Sequence, residues 1–98
     1  MIRFSVVQVP IETIDPLYFE FISEERLSEM VRRVQLSSPL EHAVWVERKE
    51  NPNGYWLVDN YADYMAYKQC GYSSITCLCR PRTSQVRHML ELLRDMYS

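Results

Sequence analysis

Tyr55-Trp56-Leu57-Val58-Asp59-Asn60-Tyr61-Ala62-Asp63-Tyr64-Met65-Ala66, continued by Gly71-Tyr72-Ser73-Ser74-Ile75-Thr76-Cys77, is the stretch that decides how this chain folds. Strand-forming residues run to Asp59. From Tyr61 the spacing becomes helical through Tyr64, Met65 and Lys68, with Ala62 and Ala66 small enough for close packing. Gly71 falls where a left-handed C-terminal cap belongs. Ile75 to Cys79 then reads as a strand, ended by Arg80-Pro81 because proline removes the next ladder donor. Strand, immediate helix and strand form one unit.

Upstream, Ala43 to Arg48 reads as a further strand, and Asn51-Pro52-Asn53-Gly54 supplies turn residues that join it to Tyr55–Asp59 as a hairpin. Before it comes a helix. Ser23 is a good N-cap, Glu24 and Glu25 suit the positive end of the helix dipole, and Leu27, Met30, Val31 and Val34 form one apolar stripe. Ser37-Ser38-Pro39 closes it. Ile2 to Val9 reads as a first strand stopped by Pro10, and residues 11–22 read as a packed loop with a short turn around Pro16. At the other end, Thr83 or Ser84 caps a terminal helix whose apolar stripe is Val86, Met89, Leu90, Leu93 and Tyr97.

Ninety-eight residues suit one domain and one core, with 1–79 as the body and 80–98 as a C-terminal helix. Charged residues at 24% and hydrophobic residues at 47% exclude a disordered chain. A net charge of -2 offers no general attraction to a polyanion, which places nucleic acid second among partners. The charge is unevenly placed. Residues 12–29 are acidic, while Arg80, Arg82, Arg87 and Arg94 make the C-terminal region mildly basic. With neither a signal-like start nor an apolar run long enough for a bilayer, the expectation is a cytoplasmic protein that does not enter a membrane.

The deciding stretch, with its hairpin before it and short strand after it, resembles the ParB N-terminal domain and its sulfiredoxin-like relatives. Val9-Pro10-Ile11, Ile14-Asp15-Pro16 and Ser38-Pro39-Leu40 extend the likeness toward the N-terminus. The resemblance implies a mixed α/β (α+β) domain with one mixed sheet of about four strands and about three helices. It also implies a ligand turn at the strand–helix junction, where members of the family carry a glycine, a histidine and arginines. In that mode the glycine lets backbone approach a phosphate, and the helix N-terminus adds its dipole. Here Asn60, Tyr61, Ala62 and Asp63 occupy the turn. Aspartate in place of arginine changes the local charge by two units, a repulsion of at least roughly 1 kcal/mol toward a triphosphate. The turn therefore reads as degenerate. Sulfiredoxin chemistry needs a cysteine at the start of this helix, but Cys70 lies at its far end, where the dipole disfavours a thiolate.

The remaining chemistry-bearing residues give weaker signals. Cys77 and Cys79 share one strand face at about 6.6 Å, near the outer limit for a disulfide, and no zinc spacing accompanies them. All three cysteines read as reduced core thiols. His42 and His88 read as isolated surface residues, and the Asp59, Asp63 pair reads as helix capping before metal binding. Twelve aromatic residues, with Tyr61, Tyr64, Tyr67 and Tyr72 in or beside one helix, suggest a contact surface that Arg87 extends. The expected function is accordingly a catalytically inactive, protein-binding or regulatory domain, without cofactor or metal, that engages a protein partner or a second copy of itself. A nucleic-acid or nucleotide-linked factor of the ParB kind stands second, and a residual phosphotransferase using Glu12 or Glu24 stands third.

Overall fold

Alternating side chains on five short strands give this chain a sheet with one greasy face, and two helices bury it. The structure, a computed structural model, describes residues 3–50, 54–81 and 92–94. The strands are β1 (Ser5–Pro10), β2 (Ile14–Pro16), β3 (Val44–Arg48), β4 (Tyr55–Asp59) and β5 (Ser74–Arg80), and the α-helices are α1 (Glu24–Leu36) and α2 (Tyr61–Cys70). They form one mixed sheet in the order β1-β5-β3-β4-β2. The pairs β1–β5 and β3–β4 are antiparallel, whereas β3–β5 and β2–β4 are parallel.

The expected mixed α/β fold is present, but the sheet has five strands rather than about four. The added strand is β2. Three residues ending in proline give no readable alternation, yet Ile14, Asp15 and Pro16 pair with Tyr55, Trp56 and Leu57. A 3-10 turn over Ile11–Thr13 throws the chain from β1 at one edge to β2 at the other. The hairpin, the two helices and the last strand lie where the sequence puts them. The proposed terminal helix falls largely outside the described residues, of which 92–94 are helical.

Register assigns the faces. Val9, Ile75, Cys77, Val44, Val46, Leu57 and Ile14 point to the helices and form the core with Val34 of α1 and Tyr61, Tyr64, Ala66 and Tyr67 of α2. Helix α1 begins as its sequence requires, with the Ser23 hydroxyl accepting from Arg26 N–H at 3.1 Å, and only Val34 of its stripe is fully buried. Helix α2 lies deeper. Five of its ten residues are buried, and it ends on Gly71 at φ 78°, a conformation glycine adopts without a Cβ penalty.

Leu57 of β4 is fully buried under the helices, whereas Phe21 is 93% exposed. Leu57→Ala should therefore cost about 2–5 kcal/mol in urea unfolding, while Phe21→Ala should fall within about 0.5 kcal/mol of the parent.

Candidate functional site: the strand–helix turn at Asn60

The β4–α2 junction makes an abrupt change from extended to helical backbone in one residue. Asn60 achieves it at φ 66° and ψ 48°, the sole left-handed non-glycine among the described residues. Asparagine tolerates this region better than other side chains because its amide bonds locally. Its Nδ2 donates to the Ala43 carbonyl at 2.9 Å, which ties the turn to the start of β3. The turn shape expected of a glycine is thus kept, but with a side chain that reaches across it.

Two of the donors that such a turn offers are already engaged. Asn60 N–H donates to the Asp59 carboxylate at 2.8 Å. Burial pushes the Tyr18 phenol up from its ordinary value, with Asp59 and Glu20 adding to the effect and a backbone hydrogen bond from Tyr61 opposing it. Two successive amides at the positive end of α2 therefore face groups of this chain. Tyr61 closes the remaining space: it is 7% exposed, and its ring packs near those of Tyr18, Phe19 and Tyr64 at centroid separations of 5.8, 6.1 and 6.3 Å.

Asp63, in the first turn of α2, meets His42 from the loop before β3, Oδ1 to Nδ1 at 2.8 Å. Both side chains are largely enclosed, at 14% and 17% exposure. His42 is thus no isolated surface residue, because Tyr67 also donates its hydroxyl to the His42 carbonyl at 3.0 Å. Twenty-one residues separate histidine from aspartate, a distance at which no linear spacing rule signals a pair. The expected capping role of the aspartates is also corrected. Asp59 binds its own neighbour's amide rather than a later turn, the N-cap position Asn60 makes no side-chain cap bond, and Asp63 is held by histidine. Among the described residues, no group of three His, Cys, Asp or Glu side chains is placed to hold a metal ion.

The tyrosine surface requires a second correction. Tyr61, Tyr64 and Tyr67 are all buried, because α2 is roofed by α1 and by the segment carrying Leu17 and Tyr18. The Tyr64 and Tyr67 hydroxyls remain compatible with burial by bonding backbone carbonyls, Tyr64 to Ile14 at 3.3 Å and Tyr67 to His42. Tyr72 is 38% exposed and packs on Tyr67, while Arg87 and His88 lie outside the described residues. Large apolar side chains left in water lie elsewhere, among them Phe19 and Phe21 before α1, Leu36 and Leu40 at its end, and Phe4 and Val6 at the start of the chain's first strand.

Cys77 belongs to the core, and burial together with Cys79 pushes its thiol up to about 12, which disfavours the thiolate. Cys70 and Cys79 are half-buried against the same core. Glu12 and Glu24 are exposed, on the 3-10 turn and the first residue of α1. Among the described residues no helix is long and apolar enough to cross a membrane.

No protein-family model matches the sequence, and no curated protein matches it significantly. Solved structures do. ParB of Caulobacter crescentus complexed with CTP-gamma-S superposes with a TM-score of 0.66 at 16% identity over 90% of this chain. Sulfiredoxin of Arabidopsis thaliana gives 0.67 at 21% identity over 88% of this chain and 97% of its own. The fold is ParB/sulfiredoxin-like. A second Caulobacter ParB structure, complexed to the centromeric parS site, gives 0.59 at 16% identity over 79% of this chain. The chain spans about half of the first ParB structure and 38% of the second.

Burial pushes both the Cys77 thiol and the Tyr67 phenol up to about 12, from 9.0 and 10.0. A folded-state pKa above the unfolded one means that folding favours the neutral form, so this stability is complete below the unfolded pKa and lost as pH rises through the folded one. The melting temperature should hold up to about pH 9 and fall progressively toward pH 12, and Cys77→Ala should delay the onset. A double-mutant cycle of His42→Ala and Asp63→Ala, read by urea unfolding at neutral pH, should return a coupling of about 1 kcal/mol.

Proposed function

We propose that this domain is a non-catalytic form of the ParB/sulfiredoxin-like fold that acts by binding a protein partner. One observation carries the reading. At the turn where a phosphate would need backbone donors, positive charge and room, Asp59 and Tyr18 engage the amides, Asp63 stands among the side chains, and Tyr61 fills the space. An anion there would have to displace an internal carboxylate from the helix end that favours it, and would still meet a second one.

The partner surface follows from exposure. Phe19 and Phe21 stand 79% and 93% exposed on one short segment between β2 and α1. Two phenylalanines so close together in water are the kind of apolar feature that marks a contact surface. Aromatic side chains also dominate binding energy at such surfaces. This segment replaces the buried tyrosines of α2 as the contact region, and a second copy of the chain is the partner proposed.

Two measurements test the reading. In 15N–1H spectra, ATP, ADP and CTP with magnesium should leave the amide resonances of Asn60 to Asp63 unmoved. A saturable shift at those amides would overturn the closed-turn reading. In sedimentation runs, the parent should associate with rising concentration, and a variant combining Phe19→Ser and Phe21→Ser should stay monomeric with an unchanged unfolding midpoint. A parent that is monomeric at every concentration would refute self-association.

A further inference from the structure

The two edges of the sheet are finished differently. Strand β2 closes one edge with three residues that stop at Pro16, and Lys49 pairs with Asp15 there. Strand β1 forms the other edge. It runs six residues, Ser5–Pro10, and pairs with β5 in an unbroken register from Ser5 opposite Cys79 to Pro10 opposite Ser74. No second strand pairs with it among the described residues. Edge strands are commonly blunted by a charge, a bulge or an internal proline. Ser5 to Val9 carries none of these.

An antiparallel strand commits the N–H and C=O of alternate residues to its neighbour and turns those of the others outward. The outward groups of β1 thus form a row whose spacing another extended backbone matches. The side chains beside that row also suit a strand. Val7 and Val9 belong to the core side, whereas Phe4 and Val6, on the other face, are 50% and 54% exposed. Trp45 braces the Phe4 ring edge-on at 5.3 Å, and Gln8 donates its Nε2 to Thr76 Oγ1 at 2.5 Å. A firm apolar strip therefore lies along the open edge.

Charge gives the direction. Arg3 is exposed just before the strand and Glu12 just after it, and neither enters an ion pair among the described residues. A chain laid antiparallel to β1 brings its C-terminal end to Arg3 and its N-terminal end toward Glu12. Its electrostatic complement is basic first and acidic last.

We propose that the open edge of β1 binds an extended segment of a partner protein, which joins the sheet as an additional strand antiparallel to β1. Alternate apolar side chains of that segment lie over Phe4 and Val6, with a basic residue leading near Glu12 and an acidic residue ending by Arg3. In this mode of recognition backbone hydrogen bonds give the affinity and alternate side chains the selectivity. The surface shares no residue with the Phe19–Phe21 segment or the Asn60 turn, and it rests on neither reading.

The probe is the capped peptide acetyl-Lys-Val-Thr-Val-Thr-Val-Glu-amide, titrated into the full chain and followed in 15N–1H spectra. Saturable shifts should run along Ser5 to Val9, and the variant combining Phe19→Ser and Phe21→Ser should bind as the parent does. The same peptide with proline at its central position, which is unfit for a ladder, should not bind. Val6→Lys should weaken binding by about fivefold, the scale of one cross-strand pair. The parent should favour this peptide over its end-exchanged form, acetyl-Glu-Val-Thr-Val-Thr-Val-Lys-amide, by about threefold, and a charge swap of Arg3→Glu with Glu12→Lys should reverse that preference. The proposal is overturned by no saturable shift along β1, by equal binding of the proline peptide, by undiminished affinity in Val6→Lys, or by a preference that the charge swap leaves in place. It is also overturned if the β1 amides of the Phe19→Ser, Phe21→Ser variant broaden with rising protein concentration in the absence of peptide, since a second copy of the chain then occupies the edge. Failure of the parent to self-associate through Phe19 and Phe21 leaves all of these results in place.

Discussion

Everything else in this domain is arranged around the clamp between the loop at residues 42–43 and α2. Three bonds make it. Asn60 Nδ2 reaches the Ala43 carbonyl, Tyr67 Oη reaches the His42 carbonyl, and the His42 ring meets Asp63. The loop delivers the chain from α1 to β3, which sits at the centre of the sheet between β5 and β4. Fixing that entry fixes which face of β3 carries Val44 and Val46, since a one-residue slip would turn both toward the wrong side. The clamp also places α2 against the sheet, because Asn60 is at once its N-cap and the last step out of β4.

Those bonds commit side chains at and beside the turn to the fold. A helix N-terminus attracts anions because its first amides lack partners. Here Asp59 and Tyr18 face two of those amides, and the Asp63 carboxylate nearby is bonded to His42. The fold likeness to ParB and sulfiredoxin thus describes the scaffold, and the side chains at Asn60 to Asp63 give the junction a structural use. A fold does not fix the chemistry built on it.

Local signals were legible in the sequence and long-range ones were not. Ser23, the stripe from Leu27 to Val34, the hairpin strands and Gly71 could be read because each depends on residues within a few positions of one another. Strand β2 could not, since three residues ending in Pro16 show no period and owe their conformation to β4. The residue types at Asn60 to Asp63 were visible in the sequence, but their partners were not, because Tyr18 and His42 arrive from distant parts of the chain. The buried tyrosines mislead for a related reason. A phenol reads as half-polar until its hydroxyl is seen to have a carbonyl, as Tyr64 has at Ile14.

The two ends of the sheet carry opposite charge because of how the strands terminate. Strand β4 ends in Asp59 beside an acidic helix start, whereas β3 and β5 end in Arg48 and Arg80. An arginine at a strand end lies where the ladder stops and water begins, so its stem can cover apolar neighbours while its head stays solvated. Glu47 is the exception that makes the grouping stable. A buried carboxylate left alone would be strongly destabilising, and beside Arg80 it is paired and hydrogen-bonded. The arginine is thereby held in one place at the end of β5 instead of waving in solvent. One ion pair set into the sheet thus serves the fold and fixes the end of β5 beside β3.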